Sequence, residues 1–171
     1  MKEQILVDMD GVLADVYSQF ISMEYDETGR LLDMDSLRGK LESEAFPNYE
    51  KHVRSESFFR TAPVLKDSVE GLQYLNNKYK VLIVSSATEF PNSLKEKVEW
   101  LHQYFPFIIW RQIILCGEKA SIKGDIMIDD HPKNLDFFEG ERILFTQPHN
   151  SFIYQKEYRR VDSWKQVMEI L

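Results

Sequence analysis

Five short, uninterrupted apolar runs constrain the fold of this chain more than any other feature of the sequence. Each is three or four residues long, is rich in β-branched residues and does not alternate with polar positions, which is typical of strands covered on both faces of a parallel sheet. The runs occupy residues 5–7, 81–84, 113–115, 126–128 and 143–145. They predict at least five buried strands.

Apolar residues also recur at helical spacing in the segments between these runs. Leu94, Val98, Leu101 and Phe105 are one such set, and Asn92 or Ser93 offers a cap for the helix. Strands that alternate with helices indicate a three-layer α/β fold, in which helices cover both faces of a doubly wound, Rossmann-like parallel sheet.

The segment 18–60 interrupts this alternation. It has no strong strand pattern, and it mixes charged residues with aromatic ones. In open α/β sheets, ligands bind beyond the carboxyl ends of the strands, and this segment leaves the first strand at that end. We therefore predict a small helical cap over residues 18–60, called the lid segment below, inserted into a core of residues 1–17 and 61–171. A peripheral helical pair that only packs against the core is the alternative.

Composition limits the partners of the protein. The 171 residues fit one domain, and the formal net charge of −7 argues against a nucleic-acid polymer or an anionic membrane surface as partner. A small phosphorylated ligand remains compatible, because a local pocket can oppose the net charge. The single cysteine, Cys116, excludes an internal disulfide. With neither a signal-peptide pattern nor a membrane span, the sequence predicts a cytoplasmic protein and leaves its oligomeric state open, a homodimer included.

Two pairs of carboxylates follow predicted strands. Asp8 and Asp10 come directly after the first run, and Asp129 and Asp130 follow the run at 126–128. The carboxyl ends of parallel strands meet at one edge of a sheet, so these four like charges are expected to lie close together and to repel one another. A Mg2+ ion offsets such repulsion, since it takes carboxylate oxygens and is completed by substrate phosphate.

Hydroxyl groups and a lysine are expected at the same edge. Ser85 and Ser86 end the second run, and Lys119 lies just beyond the third. Taken alone, each has an ordinary explanation as a loop start or a surface lysine, and the aspartates could be turn or cap residues. Because each element follows its own strand in order, the joint arrangement predicts a site for a phosphoryl group. Gly11 fits this site, since a turn beside phosphate needs closely approaching backbone.

The motifs themselves resemble those of a known superfamily. The stretch "DMDGVLAD", Ser85, Lys119 and "IDD" at 128–130 resemble, in order, the four motifs of the haloacid dehalogenase (HAD) superfamily of phosphotransferases. Within it, nearly the whole chain resembles the 5'(3')-deoxyribonucleotidases, including "ESFFRTAPVLKDSVEGL", "FTQPHN" and the closing "VDSWKQV". The resemblance implies a Mg2+-dependent phosphatase that hydrolyses a phosphomonoester, with deoxyribonucleoside monophosphates as substrates.

The resemblance also implies roles for individual residues. Asp8 attacks phosphorus and forms an aspartyl-phosphate, a covalent route open to a carboxylate. Asp10 protonates the leaving oxygen and later takes a proton from water, so it must start protonated. Ser85 and Lys119 bind the phosphoryl oxygens, and Ser86 assists them.

The same resemblance assigns the metal ligands. Mg2+ is held by the Asp8 carboxylate, the main-chain carbonyl of Asp10 and the Asp130 carboxylate. Asp129 is expected behind these groups, where it contacts the ligands rather than the ion. In this arrangement one aspartate of the first pair is neutralised by metal and the other by a proton.

The chain departs from the nucleotidases where they grip the base with aromatic residues. The equivalent positions here are Val16 and the "RGKL" stretch, which ends in Lys40 and Leu41. Tyr17, Phe46 or Tyr49 could compensate, or could serve only the core of the lid segment. We expect substrate contacts at Val16, Tyr17, Lys40 and Leu41 and only a weak preference among bases.

Other functions stay open at this stage. A sugar-phosphate phosphatase or mutase would use the same scaffold, whereas a dehalogenase would need neither Asp10 nor a metal-binding pair. A non-enzymatic, phosphate-binding regulatory module would have no use for a general acid. His149 and Asn150, in "FTQPHN", either steady a loop near the site or serve only the packing.

Overall fold

Six strands form one fully parallel sheet in a computed structural model that describes residues 2–154 and 157–171. All five predicted runs are strands, so the predicted α/β fold is confirmed. The sixth strand carries two arginines and lies at the sheet edge, which explains why its pattern is not apolar. In the sheet order β3-β2-β1-β4-β5-β6, the strands are β1 (Gln4–Val7), β2 (Lys80–Ser85), β3 (Ile113–Leu115), β4 (Ile126–Asp129), β5 (Glu141–Phe145) and β6 (Arg159–Val161).

Helices and apolar side chains cover both faces of this sheet. Ile5 and Val7 belong to a large core cluster, while Leu6 between them belongs to a smaller one. Because successive side chains of a strand point to opposite faces, the two clusters lie on opposite sides of the sheet and give three layers. The helices are α1 (Val16–Thr28), α2 (Glu42–Ala45), α3 (Tyr49–Val53), α4 (Ser68–Lys78), α5 (Pro91–Tyr104), α6 (Pro132–Leu135) and α7 (Trp164–Ile170).

Helix α5 differs from its predicted form at its start and on its buried face. It begins at Pro91 without a side-chain cap, and the Asn92 amide instead donates a hydrogen bond to the Val53 carbonyl at 2.9 Å. The predicted apolar positions Leu101 and Phe105 are fully buried, whereas Leu94 and Val98 are only half-buried. In the first half of the helix, polar residues face the interior instead.

The lid segment has no strand among its residues, all of which lie within the described part of the chain. Its helices α1, α2 and α3 pack around the ring of Phe20, whose centroid is 4.7 Å from those of Phe46 and Phe58. Helix α1 begins at Val16 and crosses the predicted boundary at residue 18, and the exact limits of the lid segment stay a prediction. Within residues 2–154 and 157–171, no helix combines the length and apolar character needed to cross a membrane.

Candidate active site

The register of the sheet brings the predicted site residues to one edge. Val7 pairs with Ile83 of β2 on one side and with Ile128 of β4 on the other. The residues that follow these positions therefore emerge together, which places Asp8 beside the ends of β2 and β4. The Asp8 amide donates to the Ile128 carbonyl at 2.9 Å and continues the sheet into the site.

Gly11 lets the loop after β1 approach the loop after β4. Its φ is +75°, a left-handed conformation that favours glycine. A Cβ atom added at Gly11 would lie 2.1 Å from Oδ2 of Asp130, a distance that no side chain tolerates. The glycine is thus required both by the turn and by the carboxylate packed against it.

Asp8 is buried at the bottom of this edge. Its Oδ1 atom accepts hydrogen bonds from the Met9 amide at 2.7 Å and forms an ion pair with Lys119 Nζ at 2.6 Å. Burial, and next the charge of Asp129, raise the pKa of Asp8 well above its ordinary value, although Lys119 opposes the shift. With Oδ1 held in this way, Oδ2 is the oxygen that Asp8 can present to a ligand in the cleft.

Asp129 is fully occupied by neighbouring donors. Lys119 Nζ contacts its Oδ2 at 2.6 Å, the His131 amide donates to Oδ1 at 2.8 Å, and the Asn134 amide group donates to both oxygens. Although burial alone disfavours the charged ammonium, Asp129 and Asp8 raise the pKa of Lys119 above its ordinary value. Asp129 therefore fixes Lys119 between two carboxylates, consistent with its expected place behind the metal ligands.

Asp130 offers the free oxygen that a cation would need. Its Oδ1 atom is buried and has no hydrogen-bond partner among residues 2–154 and 157–171. Burial raises the pKa of Asp130 to about 7, with Asp129 adding to the shift and His149 opposing it. One carboxylate oxygen each from Asp8, Asp129 and Asp130 lie within 4.8 Å of one another. An orphaned buried oxygen in an all-oxygen group fits a hard divalent cation such as Mg2+.

Lys97 is a site residue that the sequence analysis missed. It lies on α5, its side chain is only 3% exposed, and its Nζ atom donates to Asp10 Oδ2 at 2.5 Å and to Ser85 Oγ at 2.8 Å. The signal was present in the sequence, because Lys97 stands three and four positions before the buried residues Trp100 and Leu101. A lysine on the apolar face of a helix needs a partner, and here the partners are two predicted site residues.

The preceding residue, Glu96, is also buried and ties down the end of the lid segment. Its carboxylate accepts hydrogen bonds from the main-chain amides of Ser57, Phe59 and Arg60 at 2.8, 3.0 and 3.3 Å. Two adjacent residues of α5 therefore contact different regions. Lys97 contacts the carboxyl edge of the sheet that carries Asp8, Asp10, Ser85, Lys119 and Asp130, called the catalytic edge below, and Glu96 contacts the end of the lid segment.

The turn that contains His149 and Asn150 contacts the loop after β1 and the loop after β4. Gln147 Nε2 donates to the Gly11 carbonyl at 2.5 Å, and Asn150 Nδ2 donates to the Asp130 carbonyl at 2.8 Å. His149 Nε2 lies 2.9 Å from the same Asp130 carbonyl. Of the two interpretations left open, the geometry favours a role in steadying the site.

The other ring nitrogen of His149 faces the lid segment. Nδ1 lies 3.2 Å from Glu42 Oε1 and 3.0 Å from the Tyr17 hydroxyl oxygen. Burial opposes the charged forms, yet the hydrogen bond between them raises the pKa of His149 to about 9 and lowers that of Glu42 to about 2. His149 and Glu42 therefore form a buried ion pair, and the His131 ring stacks on His149 with centroids 4.2 Å apart.

Between the lid segment and this edge lies a cleft with a volume of about 460 Å³. Asp10, Ser85 and Ser86 line it beside Asp8, Lys119 and Asp130. On the lid side, aromatic side chains line the cleft together with acidic and aliphatic ones. The phenyl and phenol rings that line the cleft belong to Phe20, Tyr49, Phe58 and Phe59 of the lid segment and to Phe90 of the core.

Of the four predicted substrate contacts, two line this cleft and two do not. Val16 and Leu41 are among its lining residues. Lys40 is exposed and donates to the Ser36 carbonyl at 2.9 Å, because the "RGKL" stretch turns its lysine towards solvent. Tyr17 is fully buried behind the cleft, where its hydroxyl serves His149.

Comparisons with known proteins agree with this geometry. Residues 2–171 match the model of the family described as 5' nucleotidase, deoxy (pyrimidine), cytosolic type C protein (NT5C). A 5'(3')-deoxyribonucleotidase from Bacillus subtilis (strain 168) is 40% identical over 171 aligned positions, which cover 98% of this chain and 97% of that protein.

Solved structures support the fold. A haloacid dehalogenase-like hydrolase from Streptococcus pneumoniae superposes with a TM-score of 0.60 at 16% identity, covering 99% of this chain and 98% of that one. A HAD-hydrolase from Bacillus subtilis, solved bound to magnesium, gives a TM-score of 0.60 at 12% identity with the same coverage. The predicted superfamily and enzyme class are confirmed, and the chain belongs to the NT5C family of 5'-nucleotidases, phosphatases with the HAD-like fold.

Proposed function

We propose that this protein is a Mg2+-dependent phosphomonoesterase that hydrolyses deoxyribonucleoside monophosphates through an aspartyl-phosphate on Asp8. The observation that carries the proposal is the arrangement of Asp8: one oxygen is held by Lys119 and the Met9 amide, and the residue lines the cleft next to the orphaned oxygen of Asp130. Membership of the NT5C family supports the substrate class.

In the first half of the reaction, Asp8 Oδ2 forms a bond to phosphorus as the bond from phosphorus to the ester oxygen breaks. The leaving oxygen takes the proton of Asp10, whose side chain is 32% exposed and reaches the cleft. Lys97 then faces a newly charged Asp10 carboxylate, which its ammonium stabilises.

In the second half, a water molecule gives a proton to Asp10 and its oxygen bonds to phosphorus, which releases Asp8 and inorganic phosphate. Lys119 and the Ser85 hydroxyl would contact phosphoryl oxygens, and Ser86 lines the same cleft. Because Lys119 and Ser85 are buried and already oriented, they would stabilise developing charge without further reorganisation.

The residues that would hold Mg2+ are Asp8, Asp130 and the main-chain carbonyl of Asp10. When bound, the ion neutralises charge on these carboxylates and on the phosphoryl group. Asp129 contributes indirectly, because all of its hydrogen-bonding capacity goes to Lys119, His131 and Asn134.

The cleft suits a small ester with a flat group. With the phosphate at the buried edge, the rest of the substrate extends towards Tyr49 and Phe90, which are half-buried and therefore expose part of their rings. Rings of this kind stack on nucleobases. A cleft of about 460 Å³ holds a nucleotide rather than a nucleic-acid polymer, so a small phosphate ester is the proposed partner.

The test is a substrate panel measured with and without metal. We expect hydrolysis of dUMP, dTMP and dGMP that stops in EDTA and returns with added Mg2+. Asp130→Asn should raise the Mg2+ concentration for half-maximal activity more than Asp129→Asn does, because only Asp130 has an orphaned oxygen.

Full activity in excess chelator would refute the metal requirement. Activity on sugar phosphates but on none of the nucleotides would contradict the substrate class and favour a sugar-phosphate phosphatase. The reverse ranking of the two aspartate variants would exchange their roles.

A further inference from the structure

A chain of contacts runs from the lid segment through His149 to the main chain of Asp130. Glu42 on α2 belongs to the lid segment, His149 to the turn after β5, and Asp130 to the loop after β4. None of the phosphate-binding contacts described above involves Glu42 or His149. The contacts from Glu42 through His149 to Asp130 must therefore serve another purpose.

A second metal site is the first explanation to test. Ligand atoms of Glu42, Asp130, His131 and His149 lie within 4.8 Å of one another. A metal-binding histidine needs one unprotonated ring nitrogen free for the ion. Both nitrogens of His149 already face protein oxygens, with Nε2 at the Asp130 carbonyl and Nδ1 at Glu42 and the Tyr17 hydroxyl. The geometry is that of a bridge between protein groups rather than a metal ligand.

The bridge ends on a residue whose orientation matters for the active site. The Asp130 carbonyl accepts from Asn150 and faces His149 Nε2, so its peptide group is held from two directions. On the other side, the Asp130 carboxylate packs against Gly11. Such contacts fix the direction in which a ligating carboxylate points, and groups of this kind usually set metal affinity about 10–100-fold.

We propose that His149 is a positioning residue through which the lid segment sets the Mg2+ affinity of Asp130. Glu42 and Tyr17 hold the His149 ring, and the ring holds the main chain of Asp130. Without Glu42, His149 loses its outer partner and the metal ligand loses part of its support. This inference rests on the proposed role of Asp130 in binding Mg2+.

The experiment measures Mg2+ binding directly, by isothermal titration calorimetry of the metal-free protein, together with turnover of dUMP. We expect His149→Gln to weaken Mg2+ binding about tenfold. Glu42→Gln, one contact further away, should weaken it about threefold, and Tyr17→Phe about twofold. Glu44→Gln on the same helix is the matched control, since the Glu44 carboxylate accepts from the Leu41 amide of its own helix start, and this variant should bind Mg2+ as the wild type does.

Two further measurements separate the bridge from simpler effects. Tyr17→Phe removes a contact to His149 without changing any charge, so a loss of affinity there cannot come from removing a nearby anion. In the double variant Glu42→Gln, His149→Gln, the effect of the Glu42 change should vanish if it acts through His149. If it persists at full size, the effect is a direct charge effect and the inference is overturned.

Circular dichroism checks that each variant is folded, and a misfolded His149→Gln leaves Glu42→Gln and Tyr17→Phe to decide. Unchanged Mg2+ binding in both of those folded variants overturns the inference while leaving the proposed function intact. A wild-type protein that hydrolyses dUMP but binds no Mg2+ overturns both the metal assignment and this inference.

Discussion

The catalytic edge of the sheet and the lid segment that faces it are built from different interactions. At the edge, Asp8, Lys119 and Asp129 form buried ion pairs with contacts of 2.6 Å, and each stands at or just beyond the end of a strand. In the lid segment, helices surround a group of aromatic rings, and the cleft-lining ring of Tyr49 is only half-buried.

This difference suggests a division of roles, in which the catalytic edge carries out the reaction and the lid segment selects the substrate. Buried charges require specific directions and distances, so we expect the edge to accept a phosphoryl ester in one orientation. Aromatic faces attract flat groups with little directional demand, so we expect the lid segment to tolerate several bases. Polar contacts that join the lid segment to the core include those of Glu96 with the end of the lid segment, of Asn92 with Val53 and of Glu42 with His149.

The largest effect is expected from a substitution in the catalytic edge itself. Asp8→Asn replaces the nucleophile by an amide, which attacks phosphorus poorly and binds Mg2+ weakly. We expect kcat for dUMP to fall by several orders of magnitude, roughly the loss seen when other enzymatic nucleophiles are removed. Steady-state kinetics measure it, with thermal unfolding as the control for folding. Near wild-type turnover in Asp8→Asn would rule out the aspartyl-phosphate mechanism.

An intermediate effect is expected where α5 supports the edge. Lys97→Met removes the ammonium that contacts Asp10 and Ser85, and kcat for dUMP should fall about 100-fold, the scale for losing one oriented charged donor. If Lys97 positions Asp10, the loss should be smaller with p-nitrophenyl phosphate, whose leaving group needs no proton.

Lys95→Met is the matched control for this prediction, because Lys95 is on the same helix and its exposed side chain pairs with Glu99 of that helix, away from Asp10 and Ser85. It should leave kcat unchanged for both substrates. Equal losses for the two substrates in Lys97→Met would show that Lys97 does not act through Asp10.

The smallest effect is expected in the lid segment. Stacking contributes about 1–3 kcal/mol per base, with little discrimination between bases. We therefore expect kcat/KM for dUMP, dTMP and dGMP to agree within about tenfold, or 1.4 kcal/mol, and to exceed that of a base-free pentose phosphate. Tyr49→Ala should reduce this excess, whereas Tyr25→Ala, which alters an exposed lid residue outside the cleft, should not.

A hundredfold preference for one pyrimidine would show that hydrogen bonds to the base, and not stacking alone, operate in the lid segment. Equal activity on nucleotides and pentose phosphate would show that the aromatic rings that line the cleft do not contact the base. Either result would change the role assigned to the lid segment, which is to bind the base by stacking with little discrimination.

Much of the catalytic edge followed from the sequence because its residues are tied to strands. A short apolar run indicates a buried parallel strand, and the polar residue that follows the run then lies at the carboxyl edge of the sheet. Asp8, Ser85, Lys119 and Asp130 were predicted in this way, and the structure brings all four to the same cleft. Their roles in catalysis stay predictions.

The remaining features were decided by packing between distant parts of the chain. Lys97 and Asp10 are 87 positions apart, and Tyr17 and His149 are 132 apart, so no local pattern links them. In the lid segment, the order of the aromatic residues does not say which rings face the cleft. Periodicity and strand ends are local properties that a sequence expresses directly, whereas the partner of a buried lysine or histidine depends on which surfaces meet when the chain folds.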